Sequence, residues 1–120
     1  MKKKLFALLL AGSMLMGVPV FALTSSTNIT STMTGADGNY HSMSGTVNTS
    51  GNNFSSSTNT LWVELYKSVT GPDTRISGSL MAVGGSASFS NNVASGTYYV
   101  HLDPNGPFYT GCNGNGKSVN

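Results

Sequence analysis

Two histidines, four acidic residues and one cysteine are the side chains with which this chain could carry out acid–base, metal or nucleophilic chemistry. Serines are plentiful, so a hydrolytic triad can be assembled on paper. In the nucleophile-elbow pattern of hydrolases, one glycine lies two positions before the serine and another lies two positions after it. No serine after residue 22 has this pattern. His41 and His101 lie in alternating, strand-like runs and belong to no catalytic motif. We therefore predict that the protein is not an enzyme.

The acidic residues offer oxygen ligands of the kind that calcium prefers. Asp37 and Asp103 each begin a stretch rich in turn-forming residues, and turn formation accounts for both of them. Zinc would require histidine or cysteine ligands at a recognised spacing, which His41, His101 and Cys112 lack. The sequence therefore predicts neither a metal site nor another cofactor.

Aromatic side chains are the better candidates for a binding site. In residues 60–68 the odd positions carry Leu, Val and Leu, so the even positions face the opposite side of a strand. In residues 97–102 the even positions are apolar or aromatic, and the odd positions face away. A row of aromatic and histidine side chains at this spacing could stack on sugar rings or dock another chain. The candidate ligand-binding residues are Trp62, Tyr66, Tyr99 and His101.

Cys112 is the only cysteine, so an intramolecular disulfide is impossible. An odd cysteine in an exported protein indicates a free thiol or an intermolecular disulfide. The simpler interpretation is a small, half-buried residue at the end of a strand.

Short runs of alternating apolar and polar residues recur between turn residues about every ten positions, a spacing typical of all-β domains. We predict one domain over residues 23–112, an antiparallel β-sandwich of about seven strands with a jelly-roll or immunoglobulin-like topology. Residues 48–59 are expected to form a polar loop. A short strand around Phe89 is expected to end at Asn91, and residues 108–112 to add an edge strand. Residues 23–27 look loose, and the Gly/Asn-rich residues 113–120 predict a flexible tail.

The motifs Ser88-Phe89-Ser90 and Ala94-Ser95-Gly96-Thr97-Tyr98-Tyr99-Val100, with the strand Leu61-Trp62-Val63-Glu64-Leu65-Tyr66, are similar to those of a known family. They resemble the closing motif and the mid-domain strand of bacterial pre-peptidase C-terminal domains, small jelly-roll-like sandwiches on secreted enzymes. Thr60 stands where that family usually has an acidic residue before the strand. The resemblance implies an accessory binding role and no catalysis.

Residues 1–22 predict where the protein works. Three lysines precede an apolar run over residues 5–20. The small residues Val20 and Ala22 then stand at the two positions that a signal peptidase recognises. This order is that of a secretory signal peptide cleaved after Ala22, in a form that looks bacterial. We therefore expect a secreted, extracellular protein.

Removal of the signal peptide changes the charge of the chain. The whole sequence has a formal net charge of +2, but three of its six cationic residues precede residue 5. Three cationic and four acidic residues remain, a net charge of −1. No basic patch for nucleic acid or an anionic membrane survives, and no second apolar run approaches the ~20 residues that span a bilayer.

The sequence thus predicts a secreted, non-enzymatic sandwich that binds an extracellular polymer or a protein partner, a second copy of itself included, through an aromatic, hydroxyl-rich face. Few charges protect its edge strands from pairing with neighbours. The alternative is therefore a structural subunit of an extracellular fibre, biofilm matrix or surface layer, with Cys112 bridging neighbours. A small secreted hydrolase or toxin-like effector is a third hypothesis.

Overall fold

The computed structural model describes residues 22–107 and 109–120, so the predicted signal peptide lies, except for Ala22, outside the described residues. The described part of the chain contains seven strands and no helix. Accordingly, it has no helix long and apolar enough to cross a membrane. The prediction of an all-β fold with about seven strands is confirmed.

The strands alternate with short connections. They are β1 (Thr24–Ile29), β2 (Ala36–Asp37), β3 (His41–Asn53), β4 (Leu61–Ser68), β5 (Thr74–Met81), β6 (Ser86–Pro104) and β7 (Gly114–Val119).

All seven strands belong to one antiparallel sheet. Six of them follow the order β1-β7-β3-β6-β4-β5, and the short strand β2 pairs with β6 outside this order. The first part of β6 pairs with β3, and its last part pairs with β4 on one side and β2 on the other. The 19-residue strand β6 is therefore the element on which the sheet is organised.

The paired strands β4 and β6 contribute many of the residues of the hydrophobic core. Leu61, Val63 and Leu65 are fully buried, as the sequence alternation predicts. Their cross-strand partners on β6 include Leu102 and Val100, which are also fully buried. These side chains join two hydrophobic clusters on the same side of the sheet, to which β1, β2, β3 and β5 add further apolar residues.

The edge strand β5 departs from simple alternation. Alternation along residues 75–83 would place Ile76 and Leu80 on one face, but Leu80 is 42% exposed and Met81 is buried. A bulge in the β4–β5 pairing, next to Leu65, inserts Ile76 as an extra residue. Since side chains alternate with a period of two, the extra residue exchanges the two faces beyond it.

Several strands run further than the sequence indicates. Residues 48–53, expected to form a loop, continue β3 and pair with β6 on one side and β7 on the other. The strand around Phe89 does not end at Asn91 but continues to Pro104. Of residues 108–112, expected to add an edge strand, residues 109–112 form no strand, and residue 108 lies outside the described residues. Residues 48–53 were expected to form a loop because small polar residues are common in loops. In the structure Thr49 is buried, and its hydroxyl lies 2.8 Å from that of Ser118.

Both ends of the described chain are ordered strands. Residues 113–120, expected to be a flexible tail, contain β7, which pairs with β1 and β3, and residues 23–27 lie mostly in β1. Glycine is favoured inside β7 because a Cβ atom on Gly116 would lie 2.9 Å from Leu102 Cδ2 and 3.3 Å from Val100 Cγ2, and these core side chains would have to shift. The composition that suggested a mobile tail thus reflects a close approach of the β7 backbone to the core.

We predict that deletion of residues 113–120 abolishes cooperative unfolding or lowers its midpoint strongly. The deletion removes a strand paired on both sides and uncovers β1, β3 and the adjoining core. A loss of only ~3 kcal/mol would lower the midpoint of a domain this size by about 12–24 °C. Circular dichroism melts of the two proteins check this, and equal midpoints would show that these residues are a dispensable tail.

Candidate functional site

The side of β4 and β6 that faces away from the core combines aromatic and ionisable side chains. We call this surface the β4–β6 face. It consists of three directly opposed cross-strand pairs, Trp62 with Asp103, Glu64 with His101, and Tyr66 with Tyr99. All four candidate ligand-binding residues therefore lie on it.

Three tyrosines form a stack at one end of the face. The rings of Tyr40 and Tyr99 are parallel to within 2°, with their centroids 4.3 Å apart, and Tyr66 lies 5.8 Å from Tyr99. Tyr99 is only 5% exposed, whereas Tyr40 is 51% exposed. Tyr40 therefore presents the outer ring. Sequence reasoning missed it because its stacking on Tyr99 depends on a contact between residues distant in sequence.

Tyr99 also forms a hydrogen bond with the β4–β5 connection. Its hydroxyl donates a hydrogen bond to Asp73 Oδ2 at 2.5 Å, and the amide of Val69 donates to Asp73 Oδ1 at 3.1 Å. Burial, with the hydrogen bond to Asp73 adding to it, raises the pKa of the Tyr99 phenol. The same two hydrogen bonds, that from Tyr99 first, lower the pKa of Asp73. The tyrosine stack is thus fixed at its inner end.

His101 occupies the middle of the face. Its Nδ1 lies 2.5 Å from Asp37 Oδ1, and its Nε2 lies 4.0 Å from Glu64 Oε1. The Tyr66 ring meets the imidazole edge-on, with centroids 5.2 Å apart. Three adjacent strands therefore place Glu64, His101 and Asp37 in a row, because Glu64 and Asp37 both oppose His101.

Glu64 is a buried carboxylate, with a side chain only 6% exposed. Its Oε2 accepts a hydrogen bond from Arg75 Nε at 2.5 Å. The Arg75 guanidinium lies 5.2 Å from the centre of the Trp62 ring, whose Nε1 donates to Asn105 Oδ1 at 3.3 Å. Trp62 and Glu64 are thus connected through one arginine. Burial raises the pKa of Tyr66, the negative charge of Glu64 adds to the increase, and the positive charge of Arg75 opposes it.

Asp37 and Asp103 do not lie in turns, contrary to the sequence interpretation. Asp37 belongs to β2 and Asp103 to β6. Burial raises the pKa of Asp103, and the nearby His101 partly offsets this increase. Ligand atoms of Glu64, His101 and Asp103 all lie within 4.8 Å of one another, so these side chains are able to approach a common ion.

Cys112 lies apart from this face. It is fully buried in the hydrophobic core, and its thiol approaches the carbonyl oxygens of Asn59 and Thr60 at 3.3 and 3.5 Å. Burial raises the pKa of the thiol, and Asp103 adds to the increase. A bridge to another chain would require this part of the core to open.

A second surface is rich in hydroxyl and amide groups. A groove of about 310 Å³ crosses β1, β7 and β3, and serine, threonine and asparagine side chains dominate its lining. Asn52 Nδ2 donates to Asn115 Oδ1 at 3.0 Å within it. No aromatic residue lines this groove, so the two surfaces of the described chain differ in chemistry.

Comparison with protein-family models and with curated proteins finds no match. Among solved structures, the chain is similar to the crystal structure of the mitogen derived from Yersinia pseudotuberculosis. Sequence identity is 12%, the match covers 82% of this chain and 84% of that one, and the TM-score is 0.48. A likeness of this extent carries no argument about function.

We predict that Tyr99→Phe raises the pKa of Asp73 towards its ordinary value, because the substitution removes the hydrogen bond that contributes most to lowering it. A lowered carboxyl pKa stabilises the folded state above the unfolded-state pKa of about 3.9, and this contribution disappears as the pH falls through the folded-state pKa. The variant should therefore lose less stability on acidification. Carbon-13 NMR titration of the Asp73 carboxyl measures the shift.

Tyr66→Phe is the matched control, since it removes a hydroxyl from the neighbouring ring and should leave the Asp73 pKa where it is. An unchanged Asp73 pKa in Tyr99→Phe would contradict the role given to this hydrogen bond.

Proposed function

We propose that this protein is a secreted, non-enzymatic binding module that holds an extracellular polymer through the β4–β6 face and Tyr40. The observation that carries the proposal is the stacked, half-exposed ring of Tyr40. A flat aromatic surface of this kind suits the apolar face of a sugar ring, and its hydroxyl can bond a polar substituent.

The stack supports binding because its geometry is already fixed. Tyr40 lies against Tyr99, whose hydroxyl is bonded to Asp73. Binding a ligand then costs little side-chain entropy, in contrast to the ~0.5–1.5 kcal/mol for immobilising a free, rotamer-rich side chain.

Polar groups adjoin the aromatic rings. Arg75 has a side chain 43% exposed, and Asp37 has one 50% exposed. His101 and Trp62 are partly accessible between them. Hydrogen-bonding groups beside aromatic rings match a ligand that alternates hydroxyls with apolar C–H surfaces, as polysaccharides do.

We further propose that the sheet closes on itself as the β-sandwich that the sequence predicts. Gly51 supports this, because a Cβ atom there would lie 3.1 Å from Val63 Cβ. The amide of Val100 donates to the hydroxyl of buried Ser25 at 3.1 Å, although β1 and β6 are not neighbours in the sheet. The signal-peptide pattern of residues 1–22 supports secretion, and the resemblance to pre-peptidase C-terminal domains supports an accessory role.

We expect the protein to sediment with at least one of three insoluble polymers, peptidoglycan, chitin or cellulose. Tyr40→Ala should weaken binding about 30-fold or more, since loss of an aromatic hot-spot residue costs about 2 kcal/mol or more. Soluble oligosaccharides of the bound polymer should change the fluorescence of Trp62, the only tryptophan.

Phe54→Ala is the control because Phe54 is 44% exposed but lies in the β3–β4 connection, outside the strands that form the face. It should bind as the unmodified protein does. Absence of binding to all three polymers, or equal binding by Tyr40→Ala, would refute the proposal.

A further inference from the structure

The acidic residues of this chain are concentrated around one histidine. The sequence has only four of them, and three, namely Asp37, Glu64 and Asp103, surround His101. Arg75 is the cation that pairs with one of these carboxylates. In a chain with so few charges, this arrangement creates a local excess of negative charge on the β4–β6 face.

The donor atoms are spaced for a common ligand. Glu64, His101 and Asp103 each offer one atom, and all three atoms lie within 4.8 Å of one another. Zinc binds nitrogen and carboxylate oxygen at about 2.0–2.2 Å, so two atoms on one ion lie at most about 4.4 Å apart. The 4.0 Å between Glu64 Oε1 and His101 Nε2 is within this limit and too long for a hydrogen bond. The 4.8 Å bound on all three separations exceeds this limit by at most about 0.4 Å.

Glu64 Oε1 is an independent indication of a missing partner. This atom is buried and has no hydrogen-bond partner among residues 22–107 and 109–120, and its side chain is only 6% exposed. Such an oxygen is costly to leave unpaired. It points towards His101, which is where a cation would satisfy it.

Neighbouring side chains orient the donors. Asp37 lies 2.5 Å from His101 Nδ1, and a hydrogen bond from Nδ1 to this carboxylate leaves the lone pair on Nε2, towards Glu64. A carboxylate behind a histidine in this way is the usual arrangement at metal sites. Arg75 holds the other oxygen of Glu64, which fixes the direction of Oε1.

We propose that Glu64, His101 and Asp103 bind a divalent transition-metal ion such as Zn²⁺, with Asp37 positioning the histidine. One imidazole and two carboxylates suit Zn²⁺ better than Ca²⁺, which takes six to eight oxygen ligands. Three protein ligands leave at least one position of the ion for water or another ligand. This site goes beyond the proposed polymer binding and does not depend on it.

Isothermal titration of the untagged, EDTA-treated protein with ZnCl₂ tests the proposal. We expect saturable binding of one ion per chain and a higher thermal-unfolding midpoint when Zn²⁺ is present, because the folded state alone assembles the site. The nitrogen-15 resonance of His101 Nε2 should shift on binding while that of His41 stays in place.

Substitutions identify the ligands. His101→Gln and Asp103→Asn should each weaken Zn²⁺ binding more than about 100-fold, since loss of a partner behind a ligand already costs about 10–100-fold. Asp37→Asn should show that smaller loss. Asp103→Asn keeps the shape of a half-buried side chain and leaves the Glu64–Arg75 pair intact, so it remains informative if Glu64→Gln fails to fold.

His41→Gln is the matched control, because His41 is the other histidine of the chain and lies outside the cluster. Three outcomes would overturn the proposal: no saturable binding of Zn²⁺, unchanged affinity in His101→Gln and Asp103→Asn, or an equal loss in His41→Gln. The polymer assays on Tyr40→Ala share none of these readouts, so either proposal can fail alone.

Discussion

The register between β4 and β6 is the constraint on which both faces of the sheet depend. It sets Val63 opposite Leu102 on the buried side and, one residue later, Glu64 opposite His101 on the other. A slip of one residue would turn the apolar side chains outward and bury the ionisable ones, at a cost that no surface contact could offset. Hydrophobic burial on one side of the sheet therefore positions the chemistry on the other.

The β4–β6 face is unusual for its burial. Glu64 and Tyr99 are nearly inaccessible although they point away from the hydrophobic clusters, because Arg75 and Tyr40 cover them. Three of the four acidic residues and one of the six cationic residues of the chain thus lie on or beside this face, and Arg75 packs against the Trp62 ring. Those contacts hold the side chains in one arrangement, although burying ion pairs contributes little net free energy to folding.

The alternation of apolar and polar residues predicted much of the sheet, but it predicted little of the cluster of acidic residues around His101. Alternation in residues 60–68 and 97–102 assigned each side chain there to the correct face, because large apolar residues mark the buried side. It could not show that Asp37 and Glu64 flank His101, since strand pairing depends on contacts distant in sequence. Strand β7 was missed for another reason: Gly116 permits close backbone approach to Leu102, and glycine-rich composition resembles that of a loop.

Backbone contacts between β4 and β6, measured by NMR in the folded protein, test the central claim most directly. The structure predicts cross-strand nuclear Overhauser effects that pair Glu64 with His101 and Tyr66 with Tyr99. Contacts that pair Glu64 with Val100 or Leu102 instead would mean a register shifted by one residue. That result would contradict the arrangement of both the tyrosine stack and the cluster around His101.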